Sequence, residues 1–264
     1  PPRSTLFPYT TLFRSGNWNV PQTVTVTAVD NFLDDDTRTT TIANGVTGSD
    51  PLTRYGDGTV TAASVVVTVN DDDTAGVVVT PTTLTVSEPN TAQTYTVVLT
   101  SQPFPGETVT IATSGYSAAW ITVSAATLTF DASNWNVPQT VTVTAVDNFL
   151  DDDTRTTTIA DGVAGSDPLT RYGDGTVTAA SVVVTVLDDD NAGVVVNPTA
   201  LTVTENGPAQ TYTVVLSSQP FPGETVTIST SGYSATWISV SAATLTFDAT
   251  NWNVPQTVTV TAVD

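Results

Sequence analysis

The chain has 264 residues, with 26 Asp and Glu against 6 Lys and Arg, a formal charge of −20, and no Cys, His or Met. Those absences exclude a Cys or His nucleophile, a His general base, a Cys/His zinc site and a disulfide framework. The charge repels phosphate and so argues against nucleic acid or an anionic membrane as partner, while no apolar run approaches the ~18 residues of a membrane span.

Residues 1–15, PPRSTLFPYTTLFRS, share no pattern with residues 17–264. They resemble the conceptual translation of a short-read sequencing adapter. They also lack the basic start, apolar middle and small-residue cleavage site of a signal peptide. The leader 1–16 is therefore set aside as non-native, and the lack of Met marks the sequence as a fragment of something longer.

From residue 17 the chain is one repeat. NWNVPQTVTVTAVD occurs at 17–30, 134–147 and 251–264, with starts 117 residues apart. Residues 17–73 match 134–190 at 54 of 57 positions, the exceptions being Asn44/Asp161, Thr47/Ala164 and Asn70/Leu187. Residues 74–133 differ from 191–250 at 12 of 60 positions. The chain thus reads as the back half of one unit (17–73), a complete unit (74–190) and the front part of a third (191–264). A period this long is a domain per repeat rather than a solenoid coil.

Within 74–190 the hydrophobic period is two. Strands are predicted at 76–80, 83–88, 93–100, 107–113, 120–130 (broken by Ser124-Ala125-Ala126), 138–147, 154–160 and 179–187. Tyr95, Val97 and Leu99 share one face, as do Val141, Val143 and Ala145, and Val182, Val184 and Val186. Opposite faces carry mostly Thr and Ser. Pro103-Phe104-Pro105-Gly106 and Asp161-Gly162 read as turns. Short alternating strands in this number predict an all-β, two-sheet antiparallel sandwich. The connection between units, Asp188-Asp189-Asp190-Asn191-Ala192-Gly193, has no flexible spacer composition, so the array should behave as a jointed rod.

The acids concentrate at strand ends. Asp147 ends one strand, Asp151-Asp152-Asp153 comes next in the loop, Asp188-Asp189-Asp190 ends the last strand and Glu88 ends an early one. In a sandwich such ends can meet at one pole. Two like charges ~4 Å apart repel by about 4 kcal/mol at an effective dielectric of 20. A hard divalent cation removes that repulsion. Calcium accepts six to eight oxygen ligands in irregular geometry, whereas magnesium keeps more water. The alternative reading is a set of solvated acidic turns. Arg155, just after the acidic loop, reads either as a partial counter-charge or as a surface residue.

A resemblance bears on the choice. LTVSE (84–88) before TYTVVL (94–99), LTFDASNWNVPQTVTVTAVD (128–147), the acidic loop 151–153 and VTVLDDDNAG (184–193) together resemble a Calx-beta domain. That family is an immunoglobulin-like sandwich found in sodium–calcium exchangers, an integrin subunit and large bacterial surface proteins. The resemblance covers 74–190 and the partial units as far as they extend. It implies tandem immunoglobulin-like sandwiches that bind Ca2+ through Glu88, Asp147, Asp152, Asp188, Asp189 and Asp190, with Asp151 a near neighbour. The 117-residue period carries the same assignment to Asp30, Asp34, Asp35, Asp71, Asp72 and Asp73 in the first unit and to Glu205 and Asp264 in the third. Where calcium-regulated members have an acid after the third strand, this chain has Ser114-Gly115, which implies fewer ions or weaker binding per unit.

The functional expectation is a calcium-binding extracellular repeat, a stiffened spacer in a bacterial adhesin or other surface protein, and not an enzyme. Its partners are the neighbouring repeats, with host or matrix glycan or protein left to other domains. The rival readings are a glycan- or protein-binding module and the stalk of a secreted enzyme whose catalytic domain lies elsewhere. Arg171 to Gly175 reads as a structural loop rather than a receptor motif, because Tyr172 interrupts the tripeptide. Trp120 and Trp135 read as sheet packing rather than a sugar platform.

Overall fold

The computed structural model describes Gly16 and residues 18–264, and every regular element in it is a β-strand. The adapter reading of 1–15 lies outside the described residues. Among those described, no helix is long and apolar enough to cross a membrane. The chain divides into two compact units, Pro1–Asp71 and Asp72–Asp264.

In the first unit β1 (Arg38–Ile42) and β2 (Val65–Val69) form an antiparallel pair, Arg38 opposite Val69. In the second, residues 74–190 form β3 (Val77–Thr80), β4 (Thr83–Ser87), β5 (Ala92–Leu99), β6 (Val109–Ser114), β7 (Ile121–Val123), β8 (Thr127–Phe130), β9 (Gln139–Ala145), β10 (Arg155–Gly165) and β11 (Val182–Leu187). One sheet has the order β3-β5-β9-β7 and the other β4-β11-β10-β6-β8. The two pack face to face as an immunoglobulin-like sandwich. Tyr95, Val97, Val141 and Val143 of one sheet meet Ile111, Phe130, Val182 and Val184 of the other, all fully buried. Each such side chain contributes about 1.5–3 kcal/mol of apolar burial. Period-2 sequence produces this directly, because successive side chains of a strand point to opposite faces.

Two features depart from the expectation. The pairing of β11 with β4 is parallel. Only Pro81-Thr82 separate β3 from β4, yet these strands lie in different sheets, so the chain crosses over and β4 joins the second sheet beside its last strand. The second departure corrects the turn at Asp161-Gly162: β10 runs straight through it to Gly165. Residues Arg155–Ile159 pair with β11 and Ala160–Gly165 with β6, so the strand continues by exchanging partners at that point.

Asp161 consequently faces the core, only 5% exposed. Tyr95 Oη donates to its Oδ1 at 3.1 Å, and its Oδ2 is buried without a partner. Burial pushes the Asp161 carboxyl above its ordinary value, with the Tyr95 hydrogen bond opposing, and burial together with Asp161 pushes the Tyr95 phenol up. A raised folded-state value means that Asp161's contribution to stability is fully present below the unfolded carboxyl range and is lost as pH rises through the folded value. Asp161→Asn, the residue that the first unit carries at Asn44, should therefore stabilise the chain at pH ~7 by about 1 kcal/mol, with the gain shrinking toward pH ~4. Thermal melts of both proteins across that range check it. A pH-independent difference would contradict a buried charge as the cause.

The loop after β10 is held by Tyr172, 3% exposed, whose Oη donates to Ser101 O at 2.9 Å and accepts from Ser101 N at 3.2 Å. Arg171 to Gly175 is thus built around a core anchor. Trp120 and Trp135 pack half-buried against the same core.

Residues 191–264 form β12 (Val194–Asn197), β13 (Gln210–Leu216), β14 (Val226–Ser229), β15 (Ile238–Val240), β16 (Thr244–Phe247) and β17 (Gln256–Ala262). They reproduce the first sheet as β12-β13-β17-β15, but only β14-β16 of the second. Residues 200–204, counterpart of β4, form no strand, because 191–264 holds no counterpart of its partner β11. The same logic shapes the first unit. Residues 18–30 repeat the sequence of β9 and β17, yet they are exposed and form no strand, since 17–73 holds no counterpart of β5 or β7. There β1 matches only the half of β10 that pairs with β11.

Candidate cation site

Three strand ends build one pole of the complete sandwich. The parallel β4–β11 pairing is extended by Glu88 N donating to Leu187 O at 2.9 Å, which sets Glu88 beside the Asp188-Asp189-Asp190 triplet. The loop leaving β9 closes over them. Asn148 Oδ1 accepts from Leu150 N at 2.7 Å, a tight turn that aims its amide inward. Asn148 Nδ2 then donates to both Glu88 oxygens at 3.2 Å, and Asn148 N to Glu88 Oε2 at 3.3 Å.

Glu88 is only 3% exposed. Its countercharge is Arg155, the first residue of β10. Arg155 Nη2 lies 3.0 Å from Glu88 Oε1, its Nη1 lies 2.9 Å from Asp152 Oδ2, and its guanidinium stacks over Trp120 at 5.5 Å. Of the two readings open for Arg155, the structure selects the counter-charge. Its placement on β10 opposite Val186 brings it to the pole, a register that spacing alone does not reveal. Asn148 was likewise not legible as a site residue; its only sequence cue is a position between Asp147 and the acidic run.

The ligand set predicted for this repeat divides by position. Glu88, Asp189 and Asp190 each place a carboxylate oxygen within 4.8 Å of the others. Asp188 Oδ2 accepts from Asp152 N at 3.2 Å, which ties the triplet to the acidic loop. Asp188 Oδ1 and Asp190 Oδ2 are buried and have no hydrogen-bond partner. Asp147 is exposed, near enough to act on Glu88 and Asp190 through its charge. Asp151 Oδ2 accepts from Ala192 N at 2.8 Å in the connection to the next repeat, and its charge acts on Asp188 and Asp190.

The electrostatics arise from crowding and burial. Burial pushes the Glu88 carboxyl up; the Asn148 N–H and Arg155 oppose this, and Asp188 and Asp147 add to it. Burial raises Asp188, against the Asp152 N–H and Arg155 and with Asp152 and Asp151. Burial raises Asp190, reinforced by Asp188, Asp189, Asp147 and Asp151. One guanidinium does not neutralise these carboxylates, and hard oxygen donors in an irregular cluster suit a calcium-sized cation.

The partial repeats hold parts of this arrangement. In the first unit Asp35 Oδ2 accepts from Asn31 Nδ2 at 2.8 Å and pairs with Arg38, while Asp35 N donates to Asp71 Oδ2 at 3.1 Å. These copy the contacts of Asp152, Asn148, Arg155 and Asp188. Asp30 and Asp34 belong to that unit, Asp72 and Asp73 to the other. In residues 191–264 Glu205 is exposed, and the neighbouring Asn206 Nδ2 donates to Asp264 Oδ1 at 3.1 Å.

The acidic loop also meets the next repeat. The Phe149 ring lies 5.8 Å from that of Trp252, tilted by 39°, and Gln219 N donates to Phe149 O at 2.6 Å.

No family model matches the chain, and no curated protein matches it. Among solved structures it is similar to an apo-form Calx CBD1 domain, with 16% identity over 44% of this chain and 98% of that one and a TM-score of 0.34. It is also similar to CBD12 from CALX1.2, at 15% identity over 72% of this chain and 75% of that one, TM-score 0.34. A third is the Yersinia pseudotuberculosis adhesin InvE, at 16% identity over 71% of this chain and 50% of that one, TM-score 0.24. Similarity at this level does not establish a family.

Proposed function

We propose that this chain is a run of calcium-binding extracellular repeats that space and stiffen a larger bacterial surface protein of the adhesin type. The observation that carries the reading is the pair of buried, unpartnered oxygens, Asp188 Oδ1 and Asp190 Oδ2, in a pole where carboxylates outnumber guanidinium groups. Glu88, Asp189 and Asp190, with Asp188 and Asp147 beside them, are the groups that would hold the ion. A bound divalent cation would supply the positive charge that Arg155 alone does not.

The Calx-beta resemblance of residues 84–193 supports calcium as the ion. The contacts of Phe149 and Asp151 support stiffness, because the loop that carries the acids also grips the next repeat. Extracellular modules commonly work at ~10⁻⁴–10⁻³ M calcium, so the joint would set outside the cell.

Titration calorimetry of the 264-residue chain, freed of metal, tests the reading. Calcium should bind with a dissociation constant of roughly 10⁻⁴–10⁻³ M or tighter, and magnesium at least tenfold more weakly. Equal, weak heats from both ions would mean that the pole is a solvated acidic surface.

A further inference from the structure

We propose that Asn206 is a self-modifying site: it deamidates by attack of the Gly207 backbone nitrogen and so adds a carboxylate beside Glu205 without an enzyme. The calcium reading plays no part in it.

The turn dictates the residue pair. Residues 205–207 form a turn ahead of β13, and Gly207 N donates to Thr204 O at 2.9 Å. A Cβ on Gly207 would lie 2.8 Å from that same carbonyl oxygen, so the turn requires glycine there. Asn206 has a φ of 57°, in the left-handed region that Asn enters more readily than most side chains. Asn directly before Gly is the pair in which no side chain shields the second nitrogen from the first residue's carboxamide.

The reaction is an internal substitution followed by hydrolysis. Gly207 N gives up its proton to water or hydroxide and bonds to Asn206 Cγ. The Cγ–Nδ2 bond breaks, ammonia leaves, and a five-membered imide ring remains. Water then opens the ring at one of its two carbonyls, giving Asp or isoaspartate. One water enters and one ammonia departs.

Solvent must reach the turn for this to happen. Asn206 is exposed, and in the complete repeat the corresponding residues Pro89, Asn90 and Thr91 are exposed as well, so the position faces water with both sheets closed. The restraint is the Gly207 N–H bond to Thr204, and exposed turns open locally with little free energy. Asn206 Nδ2 donates to Asp264 Oδ1 at 3.1 Å. Deamidation replaces that donor with an acceptor-only carboxylate, so a hydrogen bond becomes repulsion between like charges.

The chain carries its own control. Asn90 lies in the corresponding turn of the complete repeat, but the branched side chain of Thr91 crowds the nitrogen that would attack. The 264-residue chain is kept folded in mildly alkaline buffer and mapped by peptide mass spectrometry, with an isoaspartate-specific methyltransferase as second readout. Asn206 should convert to Asp and isoaspartate roughly tenfold or more faster than Asn90. The other Asn-Gly pair, Asn44-Gly45, is read on a separate peptide. Asn206→Gln, whose longer side chain would need a six-membered ring, should leave the circular dichroism unchanged and the 205–207 peptide unmodified. Equal rates at Asn206 and Asn90 overturn the proposal. So does conversion of Asn206 only in urea, because the folded turn would then hold Gly207 N out of reach. An isoaspartate signal that persists at this peptide in Asn206→Gln overturns it too.

Discussion

Calcium at ~10 mM should raise the melting temperature of the metal-free chain by roughly 5–10 °C. A ligand that binds only the folded state adds RT ln(1 + [L]/Kd), which is about 1.4–2.7 kcal/mol at 10 to 100 times Kd. For domains of this size one kcal/mol shifts the melting point by several degrees. Unfolding disperses Glu88, Asp147 and the Asp188-Asp189-Asp190 triplet, which lie on different strand ends, so the unfolded chain has no comparable site. Replacing Asp188, Asp189 and Asp190 with Asn should abolish most of the shift. The same variant should melt higher than the parent in chelator, because the raised carboxyls at Asp188 and Asp190 show that their charged forms are disfavoured in the fold. Differential scanning calorimetry with and without calcium separates the outcomes. A triple variant that still responds like the parent would move the site elsewhere.

Arg155→Ala should be the most damaging single change at the pole without calcium, costing about 3–5 kcal/mol. The Glu88 side chain is wholly buried and its ionic partner would be gone, leaving an uncompensated charge. The stacking over Trp120 would be lost as well. Calcium should recover part of this loss, so the calcium-induced shift should be larger in the variant than in the parent. Urea melts in chelator and in calcium measure both quantities. An unchanged calcium shift would mean that Arg155 and the ion do not act on the same carboxylates.

Much of the sandwich was legible because period-2 alternation is a local property. The faces carried by Tyr95, Val97 and Leu99 and by Val182, Val184 and Val186 needed no partner to be read, and both are buried. The acids were legible as a cluster because they sit at strand ends. What escaped was set by pairing. Asp161-Gly162 has turn-like composition, but β6 and β11 each hold one half of β10 and draw the strand through it. Arg155 and Asn148 reach Glu88 across 67 and 60 residues of sequence, a distance over which spacing carries no information. Asp151 read as a near neighbour of the ligands, and which backbone group its Oδ2 meets, Ala192 N, is set by the loop geometry.

The three copies of NWNVPQTVTVTAVD separate the two kinds of information. Their alternation of Val and Thr marks one apolar and one polar face wherever they occur, and that much belongs to the sequence alone. Two copies become β9 and β17 because neighbouring strands accept their backbone hydrogen bonds and cover their valines. In the third, residues 18–30 form no strand. Alternation fixes which face of a strand is buried, but an isolated strand gains neither hydrogen bonds nor burial to offset its conformational entropy. Only the tertiary structure, by supplying or withholding the partner, decides whether the strand forms and whether the acids at its end are gathered into a site.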